Sequence, residues 1–188
     1  SIERIGRDNP KFDRAKLVAF NTEAIAAATP DRLLAAFDDW LSVNQDLSIS
    51  KANLDSQTKQ TLLAVNRGFR VFSDIIRKSG FIYVDDADVQ YDPGAVKKVL
   101  AKDDNAGFRM IESLLPRLQA QNDWTVAGLE SLIKTICESQ AVSMGEVAQP
   151  IRVAVSGTTV SPAICDTLVL LGKTKTLARL QNVLALRD

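Results

Sequence analysis

The sequence predicts an all-α fold. Apolar residues recur at intervals of three and four positions along most of the chain, and a cap residue or a proline starts several of these runs. Such intervals place apolar side chains on one face of a helix, whereas a half-buried strand alternates them. The one strand-like run, Phe81–Val84, has four residues and no hairpin partner nearby, so we interpret it as an extended connector.

The first predicted helices are short. We expect one to begin at Asp13 and another, capped by Thr22, to cover residues 23–28. Thr29-Pro30 starts the next, because proline loses no hydrogen bond in a first helical turn. The apolar residues of that helix share one face, which places Trp40 in the core rather than against a nucleic-acid base.

A break at Asn66-Arg67-Gly68 separates a helix that begins at Leu54 from a second, basic segment. In this segment four cations stand against one acid, Asp74, which gives a local charge of +3. The cations are Arg67, Arg70, Arg77 and Lys78.

The middle of the chain predicts a subdomain boundary. Asp92-Pro93 restarts helix, and Lys102–Gly107 is the most polar stretch nearby. We therefore expect two small helical subdomains, residues 1–104 and residues 105–188. In the second, Pro116 is expected to kink a helix.

The stretch from Val147 to Gly172 predicts two helices around a tight break. Gly157 follows an apolar run and is placed to supply a left-handed C-terminal cap. Ser161-Pro162 then opens the next helix, with the serine as cap and the proline in the first turn, and Gly172 ends that helix. We expect the break to present free amides and one cation, Arg152, at a concave spot.

Composition excludes several kinds of protein. The chain has 188 residues, with 23 basic and 23 acidic side chains, so any site for nucleic acid must be local. It has no histidine and two cysteines, Cys137 and Cys165, which favours a reducing compartment and no metal. No apolar run approaches the ~20 residues of a membrane span, and no signal-peptide core is present. We therefore expect a soluble protein of the cytoplasm, or of an organelle after processing, without a membrane partner.

The sequence carries no catalytic motif. No strand feeds closely spaced glycines into a helix, and a nucleophile–histidine arrangement is impossible. Three carboxylate pairs, Asp38-Asp39, Asp85-Asp86 and Asp103-Asp104, lie at helix ends or loops, where solvated charge is expected rather than acid–base chemistry.

The end of the chain is locally basic. Residues 147–187 contain five cations and one acid, Asp166, for a local charge of +4; the cations are Arg152, Lys173, Lys175, Arg179 and Arg187. Single-stranded RNA loops are bound by planar or apolar side chains and hydrogen-bond donors that meet the bases, and by cations that meet phosphates. From the residues alone, Arg152 is as well explained by a structural role as by RNA binding.

Several motifs resemble the C-terminal anticodon-binding region of bacterial-type glutamyl-tRNA synthetase. They are Val147-Ala-Gln-Pro-Ile-Arg152, Gly157, Ser161-Pro162, Leu170-Leu-Gly-Lys173 and Leu177-Ala-Arg-Leu180, preceded by Phe12-Asp13, Lys16-Leu17, Phe20-Asn21, Tyr91–Lys98 and Asp123-Trp-Thr125. They occur in the family's order and cover nearly the whole chain.

The resemblance implies a function for particular residues. Arg152, Ser161, Pro162 and Ile164 match the family's positions that contact the first two anticodon nucleotides, with serine where some relatives have threonine. The implied partner is the anticodon loop of a tRNA, bound by a monomer. The family attaches glutamate to tRNA(Glu) with ATP on an N-terminal domain whose signature motifs are missing from this chain, so we expect a C-terminal fragment with no cofactor of its own.

Two questions stay open at this stage. The family position that contacts the third anticodon nucleotide falls on either Arg67 or Gly68; an arginine favours cytosine, and a glycine cannot choose. The same helical end also suits a freestanding interaction domain that binds a protein partner. The sequence decides neither question, nor whether the parent enzyme accepts tRNA(Gln).

Overall fold

A computed structural model describes residues 13–52 and 54–187, and every regular element in these ranges is helical. The predicted all-α class is confirmed. Residues 1–12 lie outside the described ranges, so the expectations that rest on Phe12 have no structural counterpart here.

The first half of the described chain contains five α-helices. Side-chain oxygens of Asp13, Thr29 and Asp55 accept hydrogen bonds from backbone amides in the first turns of α1, α2 and α4, at 3.1, 3.4 and 2.7 Å. These bonds satisfy donors that a helix start leaves unpaired. The helices are α1 (Arg14–Ala27), α2 (Pro30–Val43), α3 (Ser48–Lys51), α4 (Ser56–Val65) and α5 (Phe72–Ser79).

Two sequence expectations in this half are wrong. Thr22 does not cap a second helix: its hydroxyl donates to the Val18 carbonyl at 2.7 Å inside one continuous α1. Threonine can bond backward within a helix as well as cap one, and the sequence does not separate these uses. The segment Phe81–Val84 is not extended, because Gly80–Tyr83 forms a 3₁₀ turn.

Six further α-helices follow in the second half. A capping box joins Ser143 to Glu146 at the start of α9, and Thr125 caps α8. The short α6 continues into a π-helical turn, Val96–Leu100. The helices are α6 (Pro93–Ala95), α7 (Lys102–Ala120), α8 (Val126–Gln140), α9 (Met144–Ser156), α10 (Ile164–Leu171) and α11 (Lys173–Leu184).

The first turn of α7 is interrupted. Asp103, Asp104 and Asn105 have left-handed backbone angles, with φ of 50 to 62°. Asparagine and aspartate tolerate this region better than most residues. The polar stretch therefore breaks the helix, while the backbone stays helical through Pro116 to Ala120.

The buried apolar side chains form two clusters. The first runs from Phe37 to Ile75 and the second from Ile82 to Val183, and the half-buried Tyr83 and Leu170 contact both. Trp40 packs against the first cluster, as expected for a core residue. Core packing thus changes between residues 75 and 82, and the division into subdomains 1–104 and 105–188 stays a prediction about folding units.

Candidate RNA-binding site

The end of α9 fixes one side of the candidate site. Gly157 has a left-handed φ of 75°, and its N–H donates to the Val153 carbonyl at 2.9 Å, so the predicted C-terminal cap is confirmed. A Cβ on Gly157 would lie 1.9 Å from the Gln90 carbonyl oxygen. Only glycine fits there, and the chain around Gln90 therefore packs directly on the turn that leaves α9.

The expected cap at Ser161 is wrong. Helix α10 begins at Ile164, with Ala163 as its N-cap residue and no side-chain cap bond. The Ser161 hydroxyl is engaged elsewhere: it accepts from Nε of Arg152 at 2.9 Å and donates to the Pro162 carbonyl at 2.9 Å. The Thr167 hydroxyl approaches the same oxygen at 3.3 Å. A long-range partner has replaced the local one.

These contacts hold Arg152 in place but occupy only one of its three guanidinium nitrogen atoms. Its side chain is half-buried, and this burial lowers the pKa of the guanidinium from the ordinary value. Within residues 13–52 and 54–187, Nε has a hydrogen-bond partner in Ser161, while the two terminal amino groups have none. The guanidinium plane is therefore oriented by Ser161 and still carries donors for a ligand.

The other two predicted contact residues are largely buried. Pro162 is buried, and Ile164 is only 8% exposed, so in this structure they shape the turn rather than form its surface. The exposed apolar groups beside Ser161 are Val160, at 45% exposure, and Ala163. Sequence reasoning missed Val160, whose only signal is an aliphatic side chain in a loop without a helical face to join.

Arg67 and Gly68 form a second, separate place. Both are exposed; Gly68 has a left-handed φ of 80°, and a Cβ there would meet no atom within 4 Å. The neighbouring Asn66 is buried, and its amide donates to the Leu62 carbonyl at 2.8 Å and to the Ser79 hydroxyl at 2.9 Å. The break is thus anchored at Asn66 and open at the next two residues.

A groove of about 640 Å³ borders this break. It runs between the α1–α2 turn and α4, and its lining is mainly apolar, with Leu33, Leu63 and Phe69 among the residues. Arg67 lies at the same groove. An arginine beside an apolar slot combines a hydrogen-bond donor with a surface that can cover a planar ring.

Asp74 organises the start of the basic helix α5. Its carboxylate accepts from the backbone N–H groups of Arg70 and Val71 at 2.9 and 3.3 Å. These bonds, led by that of Arg70, lower the pKa of Asp74 below its ordinary value. Arg77 pairs with the same carboxylate at 2.8 Å, which leaves Arg67, Arg70 and Lys78 without an ion-pair partner in the described part of the chain.

The basic end of the chain is mostly engaged in structure, which corrects the sequence-based view of a +4 surface. Arg179 is completely buried and pairs with Asp86 at 2.6 Å, so Arg179 is not a surface cation and the partly exposed Asp86 is not an unpaired charge. Lys173 donates to the carbonyls of Gln119 and Gln121, both at 2.8 Å, and Arg187 pairs with Glu112. The partners of these three cations are far away in sequence, which is why charge counting in one window missed them.

Metal and membrane sites are not found in the parts that the structure describes. No cluster of three possible metal ligands occurs there. None of the helices in residues 13–52 and 54–187 is long and apolar enough to span a bilayer. Cys137 and Cys165 are free thiols, and burial raises the pKa of Cys165 to about 11, so its reactive thiolate is disfavoured.

Residues 32–184 match the family model described as anticodon binding domain. The glutamate–tRNA ligase of Syntrophotalea carbinolica is 30% identical over 185 residues, which are 98% of this chain and 38% of that protein. A glutamate–tRNA ligase of a Methylobacterium species is 31% identical over 188 residues, with 96% and 38% covered. The chain thus spans about 38% of the length of these relatives.

Solved structures share the fold. A glutamate tRNA ligase from Elizabethkingia meningosepticum, in complex with its amino acid, superposes with a TM-score of 0.75 at 16% identity and covers 98% of this chain and 35% of that one. A glutamate-tRNA synthetase from Elizabethkingia anophelis gives a TM-score of 0.74 at 17% identity, covering 98% and 34%. Matched to the C-terminal part of glutamate–tRNA ligases, the chain belongs to the family of anticodon-binding domains.

Proposed function

We propose that this chain binds the anticodon loop of a glutamate tRNA. The observation that carries the proposal is the Arg152–Ser161 bond at the end of α9, which orients a guanidinium whose terminal amino groups have no partner among the described residues. Arginine in a fixed plane donates well to base edges. The family match across residues 32–184 supports RNA as the ligand over a protein partner.

The residues that we propose to form the site for the first two anticodon nucleotides are Arg152, Ser161, Pro162 and Ile164. Arg152 donates to a base edge, and Ser161 keeps its plane in place. Because Pro162 and Ile164 are largely buried, their role is to hold the loop 157–163 against α10, while the exposed Val160 and Ala163 lie at its surface. An unstacked base can rest on such small apolar groups.

We assign the third anticodon nucleotide to the break at Arg67 and Gly68. Arg67 is exposed beside the apolar groove, and Gly68 leaves open space next to it. The arginine supplies donors to a pyrimidine edge, which favours cytosine.

We also propose the activity of the parent enzyme, and the relatives support it. Their name, glutamate–tRNA ligase, and the C-terminal position of the match support a parent enzyme that uses ATP to attach glutamate to its tRNA. We assign this chain the anticodon-binding part of that enzyme, acting as a monomer in the cytoplasm, with no metal or cofactor of its own.

Arg152→Ala tests the proposal directly. The change removes the oriented donor, so tRNA affinity is expected to fall by about 1–3 kcal/mol, with helix content unchanged. The measurement is fluorescence-based titration of the full 188-residue chain with a glutamate tRNA transcript, alongside circular dichroism.

Two controls separate base reading from charge. Arg117→Ala removes an exposed cation of α7 and should change affinity by much less. A transcript whose first two anticodon nucleotides are replaced should bind the unmutated chain weakly. Its affinity for the Arg152→Ala variant should be the same as for the unmutated chain. If Arg152→Ala unfolds the chain, or weakens all RNAs equally, Arg152 is structural and the proposed function loses its main support.

A further inference from the structure

Arg179 occupies a position that the proposed function does not use. Its side chain is completely buried and makes four hydrogen bonds. Nε donates to the Asp86 carboxylate at 2.6 Å, and the terminal nitrogens donate to the carbonyls of Phe81, Val84 and Val155 at 3.0, 2.7 and 2.8 Å. One residue of α11 thereby joins the segment after α5 to the end of α9.

The bond to Val155 bears on the RNA site. The last carbonyls of a helix have no partner within the helix, and distant groups satisfy two of them in α9: Arg179 bonds the Val155 carbonyl, and the Tyr91 hydroxyl bonds that of Ala154 at 3.1 Å. The Asp92 amide donates to the Gly157 carbonyl at 2.8 Å. The loop that carries Ser161 departs from this fixed end.

The same segment leads back to the other contact place. Asn66, next to Arg67, bonds Ser79 at the end of α5, and the 3₁₀ turn Gly80–Tyr83 follows at once. Arg179 binds the carbonyl of Phe81 inside that turn. The Asn66–Ser79 bond, the backbone of residues 79–81 and the bonds of Arg179 therefore connect the Arg67 break to the end of α9.

On the basis of the proposed function, we propose that Arg179 is a positioning residue. It fixes the Arg67 break relative to Arg152, so that the chain binds the third anticodon nucleotide together with the first two. A buried arginine suits this role because its planar fork holds several acceptors in one geometry. Lysine keeps the charge but offers one donor atom, so it cannot hold all four acceptors at once.

A double-mutant cycle tests the coupling. Arg67→Gln and Arg179→Lys are made singly and together in the full chain, and affinity for the glutamate tRNA transcript is measured beside urea unfolding. Because coupled groups are non-additive, Arg179→Lys should lower affinity about tenfold when Arg67 is present and less than about twofold when it is absent. Its effect on unfolding should be the same in both backgrounds.

A milder pair protects the test against loss of folding. Tyr91→Phe removes the hydroxyl that bonds the Ala154 carbonyl, and it should repeat the pattern with about a threefold loss that depends on Arg67. Tyr83→Phe is the matched control, because the Tyr83 hydroxyl has no hydrogen bond among the described residues; it should leave the affinity unchanged.

The outcomes are distinct. Equal losses in both Arg67 backgrounds, or an Arg67→Gln change that has no effect by itself, would overturn the positioning role while leaving anticodon binding intact. An unmutated chain that binds transcripts with altered anticodons equally well would overturn the proposed function, and this inference with it.

Discussion

The two proposed contact sites each contain an arginine and a nearby glycine, and they differ in how tightly the backbone is held. Gly68 directly follows Arg67, whereas Gly157 lies at the end of the helix that carries Arg152, and both glycines have a left-handed φ. Gly157 is pressed against the Gln90 carbonyl, and its loop is tied by Ser161. Gly68 faces open space. One left-handed glycine is thus tightly packed against the neighbouring chain, and the other is open to solvent.

This difference has a consequence for binding. A side chain already fixed in its bound orientation loses little conformational entropy on association, whereas an exposed arginine must be ordered at a cost of about 0.5–1.5 kcal/mol. We therefore expect Arg152 to make the stronger of the two proposed contacts and Arg67 the weaker one.

Replacing each glycine by alanine should give the largest difference between the two sites, in the free energy of unfolding. Gly157→Ala imposes left-handed strain and also drives a Cβ into backbone, so we expect a loss of about 2–4 kcal/mol in the free energy of unfolding. Gly68→Ala adds only the strain, and about 1 kcal/mol is expected. Urea unfolding of both variants measures the difference.

Similar losses in the free energy of unfolding for Gly157→Ala and Gly68→Ala would contradict the difference in packing between the two sites. They would mean that the chain near Gln90 moves away from Gly157 easily, and that the Arg152 place is as adaptable as the other.

The sequence predicts features that depend on neighbouring residues. The helix start at Thr29, the break at Gly68 and the C-terminal cap at Gly157 are all present, because each depends on residues within a few positions. The resemblance also selected Arg152 and Ser161, and these do lie together.

The sequence does not predict the contacts of side chains whose partners are distant along the chain. Arg179 looks like a surface cation in its own window, and its four acceptors lie 24 to 98 positions away. Ser161 looks like a helix cap, but a hydroxyl that finds Arg152 nine positions away no longer caps. The buried state of Pro162 and Ile164 also depends on how the loop folds back on α10, which periodicity does not encode.

Arg67→Gln tests whether the open site determines the specificity for the third anticodon nucleotide. Glutamine keeps a polar side chain but loses the planar cation, so the preference for cytosine over guanine at the third anticodon position should narrow by about 1 kcal/mol. Competition between two transcripts that differ only at that nucleotide measures the preference, and Arg70→Gln, an exposed neighbour, serves as control.

If the unmutated chain binds both transcripts equally, the Arg67 assignment is wrong. The register through Gly68 would then hold, and the parent enzyme would not discriminate between glutamate and glutamine tRNAs at this position.

The smallest expected effect is in the salt dependence of binding, where Lys173 and Lys175 can be compared. Lys173 donates to two backbone carbonyls and lies 6.0 Å from the Trp124 ring centre, whereas Lys175 has no hydrogen bond or ion pair among the described residues. A lysine that neutralises one phosphate contributes about 0.7–0.9 to the slope of log affinity against log salt. Lys175→Ala should therefore flatten the slope by about that amount, while Lys173→Ala should leave the slope unchanged and lower stability instead.

Since most cations of residues 147–187 are engaged within the protein, the unmutated chain should itself show a shallow slope of a few phosphate contacts and weak overall binding. A steep slope, or one that Lys173→Ala reduces as much as Lys175→Ala, would show that these internal bonds open when tRNA binds.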